Sequence, residues 1–336
     1  MRGAAPLEVR STMPAAHGPH VLLLSPGSKV ALTRALAAAI TARGGRLTGW
    51  ESDPHAPAAT FCQARVDGGP VEDAAAVQRL LEFSARERVT LIVPSRHDDL
   101  ATLAGVGDLF AAAGTTVAIS ATETISLCVD KIATHAWLRD GAFPVPDQNT
   151  VKAIRGGGAV TRYPLVAKAP CGSGSRQMRV CRTAQDLADL PDTWIVQTVA
   201  PGVEYTINTY ASREGRCLCE IPHERLLIGD GEVVRGRTAR IPALMDLARR
   251  ITESLPGARG PLNIQAFWDA AQARATVIEI NPRFGGGYPL AHEAGGTFAA
   301  WLVAEYVDGK TLPRLETWED GLMMVRYREA AFFRNR

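Results

Sequence analysis

Leu262-Asn-Ile-Gln-Ala-Phe-Trp268 and Thr276-Val-Ile-Glu-Ile-Asn-Pro-Arg-Phe-Gly-Gly-Gly287 are two apolar segments that predict a β-hairpin. Side chains alternate between the two faces of a strand, so Glu279, Asn281 and Arg283 share one face of the second segment. The intervening apolar side chains are expected to point the other way, into a core: Ile278 and Ile280. The second segment therefore predicts a strand face that carries a carboxylate, an amide and a guanidinium.

The register of this hairpin predicts that polar side chains of both strands meet. A turn centred near residue 272 places Gln265 opposite Glu279 and Asn263 opposite Asn281. Such a set offers oxygen ligands to a hard cation. Mg²⁺ suits a site with one clear carboxylate, because phosphate and water can complete its shell.

Arg283 follows Pro282 at the end of the second strand. There its fixed fork of donors could hold a phosphoryl group as negative charge develops on it. The structural alternative is a polar, solvated sheet face, in which Gly285 to Gly287 serve only as a turn.

The string Glu279-Ile-Asn-Pro-Arg-Phe-Gly-Gly-Gly287, with the upstream Asn263-Ile-Gln265, resembles the ATP-grasp ligases. Within that family, the string resembles the branch that is similar to the large chain of carbamoyl-phosphate synthase. The resemblance implies that Arg283 contacts phosphate and that three residues hold magnesium ions: Gln265, Glu279 and Asn281. It covers roughly residues 120 to 330, and more loosely the N-terminal part of the chain.

The composition of the chain favours a globular protein that acts on small molecules. Its 336 residues, 46% of them hydrophobic, are enough for two or three compact units. The net charge of +2 arises from basic and acidic residues mixed throughout, which argues against a surface for nucleic acid or anionic membrane. The longest apolar stretches fall well short of the roughly 20 residues that cross a bilayer. We therefore expect a small-molecule partner, no nucleic acid and no membrane.

The N-terminal residues and the cysteines favour a cytoplasmic location. Residues 1–19 lack the central apolar block of a secretory signal and are expected to form a flexible tail, in which Met13 could be the true start. The six cysteines show neither the spacing of a zinc site nor the density of a disulfide scaffold. Cys171 lies in a glycine-rich loop, where a spectator thiol is favoured over a reactive one.

Strands alternate with helices between residues 20 and 122, which predicts an open parallel sheet. The predicted strands are residues 20–24, 89–93 and 116–119, and the predicted helices are residues 30–43 and 100–113. The turn Ser25-Pro-Gly-Ser-Lys29 has too few glycines for the dinucleotide fingerprint, which disfavours a nicotinamide cofactor. Four polar residues directly after strands are candidates for ligand binding: Ser25, Arg96, His97 and Asp98. For Arg96, His97 and Asp98, solvated loop charges are the favoured interpretation.

Two lysines and a glycine-rich loop suggest phosphate contacts within residues 123–200. Lys131 begins an amphipathic helix over residues 130–139, and Lys168 ends an apolar strand, where burial without an anionic partner would be costly. The loop that follows offers backbone N–H groups and hydroxyl donors to an anion: Gly172, Ser173, Gly174 and Ser175. A plain glycine-rich hairpin is the alternative. By resemblance, Lys131 and Lys168 reach the nucleotide phosphates.

Pro201-Gly202 joins two β-rich segments and predicts a hinge between two lobes. The resemblance places the adenine at the first segment. There Gln197 keeps a carbonyl acceptor but lacks the charge of the acid that is common among relatives, and Val199 would contribute backbone contacts only. Glu204 matches the glutamate that binds ribose hydroxyls in the family.

A second hairpin is predicted over residues 222–238, with its turn at Gly229-Asp-Gly231. Arg225 and Arg235 would face each other across its strands. Like charges directly opposite destabilise a ribbon unless both reach solvent or share an anion, so the pair suggests a site for phosphate or a substrate carboxylate. Exposed strand arginines are an equally weighted alternative. The resemblance implies basic residues at both positions, beside the active site.

The predicted fold class is α/β and α+β. An open parallel sheet of the Rossmann-like, pre-ATP-grasp type precedes a two-lobed ATP-grasp fold. The predicted division is a flexible tail (1–19), an N-terminal domain (20–122), a small lobe with the glycine-rich loop (123–200) and a large lobe with the metal and phosphate site (201–336). Helices over residues 241–255 and 298–307 and a closing strand over residues 322–327 look structural.

The resemblance implies an ATP-dependent carboxylate–amine ligase that forms an amide through an acylphosphate. ATP and Mg²⁺ are the expected cofactors, with Mn²⁺ as an alternative. Three arginines would act in catalysis: Arg283, Arg225 and Arg235. The expected partners are a small-molecule carboxylate, preferably an amino acid or small peptide, and an amine, and a homodimer is an open alternative. Phosphorylation of carbamate or bicarbonate is a second interpretation, and a nucleotide-binding regulatory module without turnover is a third.

Overall fold

The computed structural model describes residues 18–158, 162–172, 178–229 and 231–333, and these residues form three β-sheets. The strands of the first sheet all run parallel. Their spatial order is β3 (Ala64–Val66), β2 (Arg46–Trp50), β1 (His20–Leu24), β4 (Leu91–Pro94) and β5 (Thr116–Val117). The prediction of an open parallel N-terminal sheet is confirmed.

Helices connect the parallel strands. They are α1 (Val30–Thr41), α2 (Ala74–Glu87), α3 (Leu100–Gly105) and α4 (Gly107–Ala112). The prediction of one helix over residues 100–113 is wrong, because the chain breaks at Val106 into α3 and α4. Glycine is a weak helix former, and Gly105 and Gly107 flank the break. The N–H of Val106 donates to the carbonyl of Leu103, a short-range hydrogen bond of the kind that tightens a final turn.

β1 is buried along its whole length, which explains its uninterrupted apolar sequence. Leu22 and Leu24 belong to a core formed within the N-terminal part of the chain. Val21 and Leu23 belong to a different core, which also contains Phe298 near the C-terminal end. The N-terminal sheet and the last helices therefore share one hydrophobic core.

The second sheet has four antiparallel strands. Their spatial order is β6 (Gln148–Thr150), β9 (Ile195–Thr198), β7 (Leu165–Lys168) and β8 (Met178–Cys181). Three helices accompany this part of the chain: α5 (Thr122–Val129), α6 (Lys131–Asp140) and α7 (Val151–Arg155). The Asp130 carboxylate accepts a hydrogen bond from the N–H of Ile132 at 2.7 Å and so caps α6. The helix predicted over residues 130–139 is confirmed.

The third sheet has six antiparallel strands. Their spatial order is β14 (Arg274–Asn281), β13 (Gly260–Asp269), β10 (Val203–Ala211), β11 (Cys217–Gly229), β12 (Glu232–Thr238) and β15 (Met323–Val325). Its helices are α8 (Pro242–Ser254), α9 (Tyr288–Glu293) and α10 (Phe298–Tyr306). β15 is the predicted closing strand, and α8 and α10 are the two predicted late helices.

The three sheets follow one another along the chain. The first ends at Val117, the second lies between Gln148 and Thr198, and the third begins at Val203. Each sheet therefore lies inside one of the predicted domains, while the domain boundaries themselves stay a prediction. No helix in the described part of the chain is long and apolar enough to span a membrane.

Candidate active site

The hairpin of β13 and β14 places the predicted polar residues side by side. Gln265 lies opposite Glu279, and Asn263 lies opposite Asn281, as the hairpin register predicted. β10 lies on the other side of β13 and sets Thr206 opposite Gln265. A row of polar residues therefore crosses three neighbouring strands.

A β-bulge interrupts the second strand directly before Glu279. Gln265 pairs with Glu279, but the next residue, Ala266, pairs with Val277, so Ile278 is the extra residue. Val277 is 1% exposed and belongs to the core, whereas Ile278 is only half-buried. The prediction that Ile278 points into the core is wrong, because strict alternation fails where a bulge inserts one residue.

Asn263 anchors the backbone at the end of β14. Its side chain is buried, and Nδ2 donates to the carbonyl oxygens of Asn281 at 3.3 Å and Arg283 at 3.0 Å. A Cβ atom at Gly285 would lie 2.9 Å from this amide, so glycine allows the close approach. The expectation that Asn263 joins the ligand cluster is corrected, because its amide is committed to the main chain. The amide holds in place the turn that carries Arg283.

Glu279 is the carboxylate of the candidate metal site. It is half-buried and makes no side-chain hydrogen bond or ion pair with another described residue. Gln265 is half-buried beside it, and Asn281 is buried. Within the described ranges, no group of three or more His, Cys, Asp or Glu residues could hold a metal ion. The donor set of one carboxylate and two amides fits an Mg²⁺ ion that takes its other oxygens from phosphate and water.

Arg283 has a buried nitrogen without a partner. Its Nη1 donates to the carbonyl oxygen of Phe284 at 2.9 Å, and its Nη2 lies 3.5 Å from Oδ1 of Asn281. The Nε atom is buried and has no hydrogen-bond partner among the described residues. Burial lowers the pKa of the Arg283 guanidinium, and the negative charge of Glu279 opposes that shift. An anion would satisfy this donor.

The two predicted phosphate lysines lie near the same carboxylate. Burial lowers the pKa of the Lys168 ammonium to about 8, the charge of Glu279 raises it and the charge of Lys131 lowers it. Lys131 Nζ donates to the carbonyl oxygen of Gly172 at 2.7 Å, at the start of the glycine-rich loop. Gly172 has a φ of +99°, which favours glycine. The small lobe thus directs two cations toward the polar face of the large lobe.

The glycine-rich loop is described only in part. Cys171 is an exposed free thiol, and Gly172 is the last described residue before the gap. Two residues predicted to contact phosphate lie outside the described residues: Ser173 and Ser175.

Gln197 is buried at the junction between the lobes. Its Nε2 donates to Oε1 of Gln148 at 2.7 Å, which leaves its own carbonyl oxygen available as an acceptor. Gln148 is a residue that the sequence analysis missed, because its strand is only three residues long. Gln197 lines a cavity of about 10 Å³ together with Lys131 and Glu279. Val199, by contrast, is 47% exposed.

Glu204 and Arg225 are committed to each other. Arg225 Nε lies 3.1 Å from Oε1 of Glu204, an ion pair by distance although the nitrogen lacks hydrogen-bond geometry. The other two guanidinium nitrogens of Arg225 donate to Thr206 Oγ1 at 3.3 Å and to the carbonyl of Gly231 at 3.2 Å. Burial raises the pKa of Glu204, and the charge of Arg225 opposes that shift. The pair lies at one end of the polar row.

Arg225 and Arg235 do not face each other, so that prediction is wrong. Arg225 lies opposite Gly236, whereas Arg235 lies opposite Leu227, because the register of β11 and β12 shifts between these positions. Arg235 is exposed, while the side chain of Arg225 is only 8% exposed. No electrostatic conflict between the two arginines therefore requires a shared anion.

The turn after Arg283 is held from two sides by residues that the sequence analysis missed. A Cβ atom at Gly287 would lie 2.4 Å from the ring of His223, whose Nδ1 lies 3.1 Å from Nδ2 of Asn208. Burial lowers the pKa of His223 to about 3, so the ring is neutral at physiological pH. On the other side, Arg326 donates to the carbonyl oxygen of Gly286. The only sequence signal for these contacts was the run of three glycines.

Comparison with known families identifies the domain that carries this geometry. Residues 128–287 match the ATP-grasp domain, a range that includes the lysines of the small lobe and ends at the last glycine after Arg283. This chain carries an ATP-grasp domain. Residues 21–118 match the PylC-like N-terminal domain, which corresponds to the parallel sheet. The predicted ATP-grasp fold is confirmed.

Solved structures with this ATP-grasp fold cover most of the chain. N5-carboxyaminoimidazole synthetase from Staphylococcus aureus, complexed with ADP, superimposes with a TM-score of 0.72 at 14% identity and covers 92% of this chain and 82% of its own. A biotin carboxylase complex from Campylobacter jejuni gives 0.71 at 16% identity, with 90% and 74% covered. The biotin carboxylase domain dimer of Hydrogenobacter thermophilus 2-oxoglutarate carboxylase, in complex with MgADP and bicarbonate, gives 0.70 at 14% identity, with 87% and 70% covered.

A curated relative is similar to part of this ATP-grasp chain. Uncharacterized protein y4rH of Sinorhizobium fredii (strain NBRC 101917 / NGR234) is 28% identical over 196 residues. The match covers 49% of this chain and 38% of the relative, so the chain corresponds to well under half of that protein's length.

Proposed function

We propose that this chain is an ATP-dependent carboxylate–amine ligase. The observation that carries the proposal is the convergence of opposite charges from two lobes. The Glu279 carboxylate is uncommitted among the described residues, and the charges of Lys168 and Arg283 both lie within its electrostatic range. Such an arrangement can bind a polyanion together with a divalent cation, which is the charge pattern of a magnesium nucleotide.

Each residue of the site has a proposed role. Gln265, Glu279 and Asn281 would hold Mg²⁺, which when bound would neutralise charge on the phosphate oxygens. Lys131 and Lys168 would contact the phosphates of ATP, with the backbone at Gly172 beside them. Arg283 would stabilise the phosphoryl group during transfer. Gln197 would accept a hydrogen bond from the adenine, and Glu204 would contact the ribose once it exchanges its present partner, Arg225.

The proposed reaction has two steps. An oxygen of the substrate carboxylate attacks the γ-phosphorus of ATP, the bond between that phosphorus and the β,γ-bridging oxygen breaks, and ADP leaves with the electron pair. The amine nitrogen then attacks the carbonyl carbon of the acylphosphate, phosphate leaves, and the nitrogen loses a proton to give the amide. No covalent bond to the protein is required. The protein would supply orientation and fixed positive charge, which are the main sources of catalysis in phosphoryl transfer.

An amino acid or small peptide is the proposed carboxylate substrate. Phosphorylation of bicarbonate or carbamate is a second candidate, because one of the structurally similar proteins is a biotin carboxylase domain that was solved with a bicarbonate anion. The two candidates differ in the co-substrate that should stimulate release of ADP.

The test is release of ADP from MgATP across a panel of single and paired amino acids and, separately, bicarbonate. The expected result is acceptor-dependent release of ADP, with a product mass equal to two substrates minus water. Stimulation by bicarbonate alone would support the second candidate. If ATP binds but no compound in the panel stimulates release of ADP, the amino-acid ligase proposal fails and a regulatory nucleotide-binding module is supported instead.

A further inference from the structure

A large cavity lies against the second sheet, outside the proposed nucleotide site. Its volume is about 570 Å³, which is within the range of about 300–1,000 Å³ that is usual for small-molecule sites. Three side chains of the sheet line it: Leu165, Val196 and Thr198. None of the described residues proposed to bind ATP or Mg²⁺ lines this cavity, which we call the back cavity.

The register of the second sheet separates the back cavity from the residues proposed to contact ATP. Leu165 lies opposite Thr198, and Val196 is two residues before Thr198 on β9, so these three side chains share one face. Gln197 lies between Val196 and Thr198 and points to the other face. Lys168, three residues after Leu165 on β7, points to the same side as Gln197. The back cavity therefore lies on the reverse side of the sheet from the proposed nucleotide site.

The charged residues around the back cavity are mostly basic. Arg139 of α6 and Arg274 at the start of β14 line it, and Asp147 is the only carboxylate among the described lining residues. Arg274 is exposed and forms no ion pair with a described residue. Arg139 lies 2.9 Å from Asp140, but both side chains of that pair are largely exposed, and such pairs contribute little stability. Both arginines are therefore able to contact an anionic ligand.

The floor of the back cavity is apolar and consists of Leu165, Val196 and Phe143. Leu165 and Val196 belong to the core of the small lobe, and all three side chains are buried. The ring of Phe143 stacks on that of Trp137, with 5.7 Å between the centroids. A fixed apolar floor beside two arginines fits a small molecule that carries an anionic group on an apolar body.

Hydrogen bonds connect the back cavity to the nucleotide side of the sheet. Gln148 lines the cavity, and its Oε1 accepts a hydrogen bond from Nε2 of Gln197 at 2.7 Å. The N–H of Asp147 donates to Oγ1 of Thr198 at 3.1 Å, and the N–H of Thr198 donates to the carbonyl oxygen of Asp147 at 3.0 Å. A ligand that displaces residues 147 and 148 would therefore also displace the amide that is proposed to contact adenine.

We propose that the back cavity binds a small molecule with an anionic group on an apolar body, and that this ligand changes the affinity of the nucleotide site. Arg139 and Arg274 contact the anionic group, and the apolar floor contacts the body of the ligand. Gln148 transmits the change to Gln197. The inference goes beyond the proposed ligase activity and rests only on the nucleotide site of that proposal.

Binding of 1-naphthoate tests the site, with 1-naphthylmethanol as the uncharged counterpart. In ligand-observed NMR titrations, wild-type protein should bind naphthoate more tightly than naphthylmethanol. Arg274→Gln should weaken the binding of naphthoate about fivefold or more, because a charge-assisted contact is lost. No binding of naphthoate, or equal binding by wild type and Arg274→Gln, would overturn the proposal.

Asp147→Asn should act in the opposite direction. The substitution keeps the size of the side chain and removes the one carboxylate of the described lining, so naphthoate should bind about threefold more tightly. Such a gain cannot arise from loss of the fold, and weaker binding would count against an anion site. Arg79→Gln, which replaces an exposed arginine on α2, is the matched control for Arg274→Gln and should leave the binding of naphthoate unchanged.

Calorimetric titration with MgADP tests the link between the two sites. Saturation with naphthoate should change the Kd for MgADP about fivefold or more in the wild type, and Arg274→Gln should bind MgADP alone as tightly as the wild type does. A Kd that naphthoate leaves unchanged would reject the regulatory site and leave the ligase proposal intact.

The remaining outcomes separate this inference from the proposed function. Failure of the wild type to bind MgADP would reject both the nucleotide site and this inference. A naphthoate-dependent Kd for MgADP without acceptor-dependent release of ADP would uphold the regulatory site and reject the ligase.

Discussion

The charged residues of the candidate site differ in how deeply they are buried and in whether they form an ion pair. Arg225 and Glu204 lie 3.1 Å apart and neutralise each other, while Arg235 is exposed on the neighbouring strand. Glu279 and Lys168 come from different lobes, and neither forms an ion pair with a described residue. A charge without a partner inside a partly buried site is costly unless a ligand completes it. These residues are therefore stronger candidates for nucleotide chemistry than Arg235.

Replacement of Glu279 by alanine should abolish turnover and leave the fold intact. The carboxylate makes no side-chain hydrogen bond or ion pair among the described residues, so the free energy of unfolding should change by less than about 1 kcal/mol. Loss of the proposed metal ligand should lower kcat at least ~100-fold. Steady-state release of ADP and urea denaturation measure the two effects.

Glu293→Ala is the matched control for that substitution, because Glu293 is an exposed glutamate on α9. It should change neither kcat nor stability appreciably. An unchanged rate in Glu279→Ala would remove the metal assignment.

The pH dependence of ATP use should report the ionisation of Lys168. Burial lowers its pKa to about 8, so in the free protein the ammonium loses its proton as the pH rises through that value. Its attraction for phosphate then falls, and kcat/KM for ATP should decrease above about pH 8. Lys168→Arg should keep its charge and move this decrease to a higher pH.

The same shift has a consequence for stability. The unfolded chain has the ordinary lysine pKa and binds more protons than the folded chain between about pH 8 and pH 10.4. The contribution of Lys168 to stability therefore increases as the pH rises through this window.

A kcat/KM profile that stays flat to pH 10 in the wild type would contradict the assignment of Lys168 to phosphate.

The β13–β14 hairpin combines a regular ladder with one local irregularity. The pairing of Gln265 with Glu279 follows from the apolar pattern and the turn. The bulge beside that pair moves Ile278 out of the core and leaves the core position to Val277. Bulges redirect side chains near functional sites. In this element, the bulge lies directly before the candidate metal ligand.

Asn263→Leu should destabilise the protein and impair the site together. The substitution keeps the approximate size but removes the donor to the carbonyls of Asn281 and Arg283. Two buried acceptors lose a partner, so the free energy of unfolding should fall by about 1–3 kcal/mol. Because the turn that carries Arg283 loses its anchor, kcat/KM for ATP should fall as well. Urea denaturation and initial-rate kinetics measure both quantities.

Gln78→Leu provides the comparison for Asn263→Leu. Gln78 makes an exposed hydrogen bond to Glu82 on α2, at 2.8 Å. Its replacement should change the free energy of unfolding by no more than about 0.5 kcal/mol. Equal, small effects of both substitutions would show that the Asn263 contacts do not support the turn.

Across the whole molecule, one hydrophobic core joins the first sheet to the last helices. Val21 and Leu23 of β1 belong to the same core as Phe298 and Leu302 of α10. The interface is therefore built from fully buried apolar side chains, which resist sliding because they are close-packed. This fixed interface holds the first sheet against the last helices of the chain.

Phe298→Ala should loosen the N-terminal sheet, although Phe298 lies far from it in sequence. The side chain is 1% exposed and contacts the rings of Tyr210 and Trp301. The loss should cost about 3–5 kcal/mol. Hydrogen exchange should accelerate in β1 as well as in α10. Leu187→Ala, in the separate core of the small lobe, should leave exchange in β1 unchanged.

The amino-acid sequence was sufficient to predict those parts of the fold that depend on local periodicity. Apolar runs of strand length separated by helices predicted the parallel sheet, and the alternation around Glu279 predicted the register of the hairpin. The order of the lysines, the glycine-rich loop and the Glu-x-Asn-x-Arg string indicated the ATP-grasp domain, which covers residues 128–287.

Contacts between distant segments were decided only by the tertiary structure. The bulge at Ile278 and the shifted register of Arg225 and Arg235 depend on how neighbouring strands twist and pack, which no single strand encodes. The ion pair between Arg43 and Asp308 joins residues more than half the chain apart. Sequence periodicity assigns a residue to a face, whereas its partner depends on the packing of whole elements against one another.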